Sequence, residues 1–352
     1  MPNLPSRRAP SPSHRAPRGL RSLALVLGVL TLATVCDARV GAQDASTRTL
    51  GYATLAPPGS VVARGLDAWS RELRRRTGGT LQLRVYAGGV QGDEPEVVQK
   101  IRTGRLDMGS VTATGLSLIH RPALVLQLPG SYYRREQLDA ARRALGPEIE
   151  AGMLEHGFRM LGWADIGRPH IFSRFEIRRP EDFARAHVWV RADDLVLPAF
   201  YEVVPSQPVV LTVPEVLGGL TARRIDTFLA PPAVALALQW SAHVTHMNDM
   251  PLGFLIGGSV ISESAFSTLT PEQQTALRES SLQFHGLSRR SAERAEADAI
   301  GALRTHGITI VEARVADLEP WFEVGRRVRA RVGPQIASPE LLERAARFSQ
   351  LP

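Results

Sequence analysis

One cysteine, Cys36, and one lysine, Lys100, are all that 352 residues contain of those types. A single thiol excludes an internal disulfide. If the N-terminal leader argued below is cleaved, the remaining chain has no thiol, which excludes iron–sulfur ligation and cysteine catalysis as well. Stability then has to come from a packed core, and about 310 residues are enough for two lobes with separate cores. Aromatic residues are 6% of the chain, and no dense basic run with interleaved aromatics follows the leader, so a nucleic-acid footprint is missing. Past residue 35 no stretch of eighteen or more apolar residues occurs, which leaves no second candidate for a membrane span. Gly-x-Ser-x-Gly, Gly-x-Gly-x-x-Gly and His-Glu-x-x-His are also lacking. The enzyme reading therefore reduces to a hydrolase with an unrecognised site, or to a metal held by His243 and His246 with no carboxylate-rich third ligand.

What is present begins with a leader. Arg7, Arg8, Arg15, Arg18 and Arg21 precede the short apolar run from Leu23 to Val35, and Val40-Gly41-Ala42 offers small residues to a signal peptidase. The expected arrangement is a signal peptide over 1–42, a mature start at Gln43 and a periplasmic location. An uncleaved anchor and lipid attachment through Cys36 are the minor alternatives. The formal charge of +7 shrinks on cleavage, because residues 1–42 hold six arginines and one aspartate.

The hydrophobic pattern then alternates between periods of two and 3.6. Thr47 to Leu55 reads as a strand, and Ser60 caps a helix whose apolar face is Val62, Leu66, Trp69 and Leu73. Leu81, Leu83 and Val85 mark a second strand, Pro95 to Thr103 a helix, and Leu106 to Val111 a third strand. Short links between such units predict a mostly parallel sheet. Residues 137–156 read as a helix broken near Gly146-Pro147. Further strands are expected at 158–164, 170–175, 187–192, 208–211 and 225–229, with a helix over 195–202. Thr212 with Glu215, and Thr270 with Gln273, are capping-box pairs opening two more helices. A helix is expected from Pro231-Pro232 to Trp240. Strand-like segments follow at 254–261 and 309–312, and the C-terminal helical part is expected to break at Gly333-Pro334.

Several of these stretches resemble the solute-binding subunits of TRAP transporters, the DctP family. They are Thr77 to Val85, Gly104 to Gly109, Leu128-Pro129, the Arg179-Pro-Glu-Asp turn with its strand to Arg191, Gly219 to Asp226, and the long late helix. The resemblance implies an α/β, periplasmic-binding-protein-like fold: two α/β lobes around a central ligand cleft, with long C-terminal helices. One lobe is expected over 46–165 with a return segment near 253–290. The other is expected over 166–252 with the helical part near 291–352. It implies a binding protein without cofactor or metal, which captures a small organic solute and hands it to the TRAP permease membrane subunits. A periplasmic sensor subunit for a signalling receptor is the alternative.

In the family an arginine seven residues after the aspartate of the turn clamps a substrate carboxylate. Counting from Asp182, that position is Trp189. Arg191 lies two residues on and shares the strand face with Trp189, so it either replaces the clamp or pairs with Asp193 or Asp194. Arg168 is the second candidate cation, in a bend where the lobes are expected to cross. The Val-Trp-Val version resembles a branch associated with helical-repeat periplasmic partners and hydrophobic or amphipathic ligands. Ser110, Thr112 and Thr114 stand at a strand's carboxyl end, where open α/β sheets bind ligands. Ser60 reads as a cap whose helix terminus could face the ligand. Phe228 and Trp240 are expected to complete an apolar lining.

Overall fold

The computed structural model describes residues 47–349, the side chains of 291–293 excepted, so the leader lies outside the described residues. The first half runs β1 (Arg48–Ala53), α1 (Val61–Arg76), β2 (Leu81–Tyr86), α2 (Glu94–Arg102), β3 (Met108–Thr112), α3 (Ala113–Ser117), α4 (Arg135–Glu155) and β4 (Phe158–Gly167). In α1 the Ser60 side chain accepts from the Ala63 amide, and Ala63, Leu66, Trp69 and Leu73 face the core. Val62 differs from expectation. It is half exposed, because the buried stripe runs through the smaller Ala63 beside it.

The second half runs β5 (His170–Ser173), β6 (His187–Val190), α5 (Val196–Val203), β7 (Gln207–Val210), α6 (Val216–Thr221), β8 (Thr227–Ala230), α7 (Pro232–Ala237), β9 (His246–Asn248) and β10 (Leu255–Ser262). It continues with α8 (Glu263–Ser267), α9 (Pro271–Thr305), β11 (Thr309–Val311), α10 (Val315–Ile336) and α11 (Pro339–Ser349). Both expected capping boxes form, at Thr212 with Glu215 and at Thr270 with Gln273.

Three expected boundaries are corrected. Helix α4 passes through Pro147 unbroken, and α10 passes through Pro334. A proline there loses one backbone bond, but Leu138, Leu145, Ile149 and Met153 on α4, and Val328, Val332 and Ile336 on α10, are buried and keep each helix continuous. The helix from Pro232 ends at Ala237, and Trp240 begins a separate 3-10 turn after Gln239, whose φ is 61°.

The strands form two sheets. The first has the order β2-β1-β3-β10-β4, with β1 parallel to β2 and β3, and β10 antiparallel to both its neighbours. The second has the order β11-β9-β5-β8-β6-β7, with β6 parallel to β7 and β8. The chain crosses between sheets three times, at Arg168-Pro169 from β4 to β5, near Pro251 to Phe254 from β9 to β10, and through α8 and α9 from β10 to β11. Gly167 permits the first crossing: its φ is 139°, and a Cβ there would stand 2.8 Å from the Pro231 ring. Helix α9 packs on α1 and β4 of one sheet and on α7 of the other. Each sheet has its own apolar cluster, around Leu50, Trp69 and Leu277 in one and Phe172, Phe228 and Met247 in the other. The two-lobe α/β arrangement is the one expected.

Candidate functional site

A cavity of about 650 Å³ opens between the two sheets. Thr54 follows β1, Ser110 and Thr112 end β3, Arg191 follows β6 and Ala230 ends β8, and all of them line it. The carboxyl ends of parallel strands from both sheets therefore converge on one space, the usual ligand position of open α/β sheets. Most of the wall is apolar or aromatic, including Trp189, Trp240, Phe254, Phe284 and Trp321.

Trp189 stands in this wall with its back in the core. It is 6% exposed, its Nε1–H donates to the Leu211 carbonyl at 2.9 Å, and it meets Trp240 edge-on at 5.1 Å. Val188 and Val190 pack on the opposite side of the strand, as alternation requires. Phe228 does not line the cavity. It is fully buried, stacked on Phe172 and edge-on to Trp240, so it supports the wall from behind while Leu229 and Ala230 form the surface.

The two candidate cations differ sharply. Arg191 is buried and already paired: Nε and Nη2 donate to the two Asp193 oxygens at 3.0 and 2.8 Å. Nη2 also stands 3.4 Å from Asp93 and 3.5 Å from Glu94, at the start of α2, the helix that packs on β3 of the first sheet. Burial opposes its charge, but Glu94 and Asp193 outweigh that and hold it above the ordinary arginine range. The cost falls on the acids. Burial pushes the Glu94 carboxyl up against the pull of Arg191, and pushes Asp194 up against the amides of Leu197 and Val196.

Arg168 has far fewer partners. Its Nε is buried with no hydrogen-bond partner among the described residues, Nη2 reaches the Tyr133 carbonyl at 3.4 Å, and the guanidinium lies 5.5 Å over the Phe254 ring. Burial lowers its pKa, partly offset by Glu296. A buried donor with nothing to donate to is costly until a ligand supplies the acceptor.

The hydroxyls are mostly committed. Ser110 donates to Thr54 at 2.9 Å, and the Thr112 amide and hydroxyl both donate to Glu94 at 2.7 Å. Thr114 reaches Asp194 at 3.3 Å. Ser60 lines the cavity as well as capping α1. Sequence reasoning missed Asp93 and Glu94, and it missed a polar row in the far wall. There Tyr52 Oη lies 2.7 Å from Ser259 Oγ, which lies 3.0 Å from His285 Nε2. Alternation could have put Tyr52 and Leu50 on one face, but nothing local joins them to a serine 207 residues away. His243 and His246 do not gather a metal set: no group of three potential ligands exists among the described residues. Nor is any helix among them long and apolar enough to cross a membrane.

A family model described as bacterial extracellular solute-binding protein, family 7 (DctP), matches residues 52–333. The 2,3-diketo-L-gulonate-binding periplasmic protein YiaO of Escherichia coli K12 is 25% identical over 313 residues, covering 83% of this chain and 88% of that protein. Among solved structures, the sugar acid binding protein DctPAm of Advenella mimigardefordensis, in complex with galactonate, superposes with a TM-score of 0.82 at 13% identity, over 87% of this chain and 98% of that one. A TRAP periplasmic solute-binding protein of Sulfitobacter sp. NAS-14.1, with bound β-D-galacturonate, gives 0.79 at 19% identity, over 86% and 100%. With the family match running across both sheets and the cavity between them, this chain belongs to the DctP family of periplasmic solute-binding proteins and serves a TRAP transporter as a receptor, not as an enzyme.

Proposed function

We propose that the cavity holds a small organic acid with one carboxylate and an apolar or amphipathic body, and that the loaded receptor delivers it to the TRAP permease subunits. The unpaired buried N–H of Arg168, set in a largely aromatic wall, carries this reading. Arginine suits it because its planar fork matches a carboxylate. Relatives named or crystallised with sugar acids support the acid group, while Trp189, Trp240 and Phe254 favour a body greasier than a sugar. Trp189, Arg191, Ser110, Thr112 and Trp240 shape the site around that anchor. In this reading 46–165 with 253–290 moves against 166–252 with 291–352, hinging where the chain crosses between the sheets, and the solute stabilises closure by touching both sides. Export by residues 1–42, cleavage before Gln43 and a helical-repeat periplasmic partner belong to the same proposal. The last of these rests on the Val-Trp-Val resemblance.

Mass spectrometry of material extracted from freshly purified protein tests the reading, because a greasy acid should survive purification. A thermal-shift screen of monocarboxylates, dicarboxylates, sugars, amino acids and aromatic acids accompanies it. At a hundredfold its dissociation constant a true ligand adds about 2.7 kcal/mol. Response to small dicarboxylates alone would overturn the apolar-cavity reading.

A further inference from the structure

We propose that the solute is an extended ω-hydroxy carboxylic acid of roughly eight to twelve carbons, lying along α9 with its carboxylate on Arg168 and its terminal hydroxyl at the Tyr52–Ser259–His285 row. The inference rests on the reading that Arg168 anchors the acid group, and it adds the length and the far end of the molecule.

Two independent rulers give the length. Phe284, His285, Ser288, Ala295 and Glu296 line the cavity at helical spacing along α9. From His285 to Glu296 the helix advances about 16 Å at about 1.5 Å per residue. On the first sheet, Ser259 and Leu255 of β10 line the same cavity, and that piece of strand spans about 13 Å. The rulers share both ends. At one, His285 Nε2 lies 3.0 Å from Ser259 Oγ. At the other, Leu255 pairs with Gly167, next to Arg168, and Glu296 stands 3.7 Å from His170 Nε2. An extended chain advances about 1.3 Å per carbon for bonds of about 1.5 Å. About 13 to 16 Å, less the reach of the arginine side chain, therefore takes roughly eight to twelve carbons.

Between these ends Ala164, Ile166, Gly258 and Ala295 line the cavity and suit methylene groups. Asp165 beside them is held by Arg135 and Arg142, and Ser288 is likewise engaged. The far end is polar and uncharged. Tyr52, Ser259 and His285 all line it, with Tyr52 Oη 2.7 Å from Ser259 Oγ. Burial pushes the Tyr52 phenol up to about 12 and the His285 imidazole down to about 4, so neither is charged near neutral pH. The Cδ2 edge of the imidazole lies against Gly162, and Nε2 meets Ser259. Nδ1, on the edge turned from Gly162, is buried with no hydrogen-bond partner among the described residues. A hydroxyl both donates and accepts, so it satisfies Nδ1 in either tautomer. A second carboxylate would meet no cation in this row, and burying it there is costly.

The test is calorimetric titration of the purified protein with saturated monocarboxylates, their ω-hydroxy counterparts and the matching α,ω-dicarboxylates, from roughly four to fourteen carbons. Affinity should peak between roughly eight and twelve carbons. At the peak the ω-hydroxy acid should bind about five- to tenfold tighter than its unsubstituted counterpart, and at least about tenfold tighter than the dicarboxylate. His285→Phe keeps a ring and removes Nδ1, so it should bring the ω-hydroxy and unsubstituted acids to equal affinity. The wild-type series decides even if that variant folds poorly. A flat length dependence, a peak outside the stated range, or no hydroxyl advantage at any length overturns the inference alone. So does a folded His285→Phe protein that keeps the hydroxyl advantage. No binding of any of these acids overturns the Arg168 reading and takes the inference with it.

Discussion

The Trp189 indole donates its Nε1–H to the Leu211 carbonyl at 2.9 Å, across the pair of strands β6 and β7. The polar edge of the ring is thus committed inside the second sheet, and what it offers the cavity is an apolar surface. Trp189 is thereby part of the cavity wall.

Replacing Trp189 should cost stability before it costs affinity. Trp189→Phe keeps most of the packing against Trp240 and leaves the Leu211 carbonyl without its donor, a loss of about 1–2 kcal/mol. Trp189→Ala opens a hole beside Trp240, at about 3–5 kcal/mol. Chemical denaturation of ligand-free protein measures both. A Trp189→Ala protein with wild-type stability and weaker binding would mark the ring as pocket surface with no structural share.

Arg168→Met should separate binding from folding in the opposite way. The methionine keeps the apolar stem over Phe254 and removes a buried, unpaired donor, so ligand-free stability should hold or rise slightly. Affinity for acidic solutes should fall roughly ten- to a hundredfold, the worth of a charge-assisted bond of about 1.5–3 kcal/mol. Arg168→Lys, which keeps charge without the planar fork, should fall between them. Calorimetric titration with whichever acid is extracted from the protein checks this, and equal affinity in all three would remove Arg168 from the site.

The contrast between these residues shows where sequence reading succeeds. Elements came through where local chemistry fixes them: the Ser60, Thr212 and Thr270 caps, and the alternation of Leu81, Leu83 and Val85. It failed at Pro147 and Pro334, where tertiary burial outweighs a local breaker. In the site, Arg168 and Arg191 were equivalent candidates on the page. What distinguishes them is Asp93 and Glu94, about a hundred residues upstream and brought against Arg191 by packing of the two sheets. The Asp193 pairing was foreseeable from adjacency, and the orphaned Nε of Arg168 was not, because nothing local reports burial. Phe228 was misplaced for the same reason: composition suits an aromatic to a lining or to its backing equally well.

The last prediction concerns pH. His285 is buried against Ser259, Trp69 and Phe284, its Nδ1 has no hydrogen-bond partner among the described residues, and burial drives its pKa down to about 4. The ring is held neutral in the folded protein and titrates near 6.5 when unfolded. As pH falls below about 6.5 the unfolded chain takes up a proton that the native state refuses, so folding weakens. The loss continues until pH approaches about 4, where the folded ring also charges, and it amounts to about 3 kcal/mol in all. Above about pH 7 this contribution is fully present and flat. His285→Gln removes the titration and can still reach Ser259, so the difference in unfolding free energy between the two proteins should change by that amount between pH 6.5 and 4. Gly162 sets the position of the ring, since a Cβ there would collide with it; Gly162→Ala should displace His285 and return its titration toward the ordinary range. Ring-proton shifts followed by NMR through the same pH range would show both effects, and a wild-type ring titrating near 6.5 would contradict the buried, neutral state.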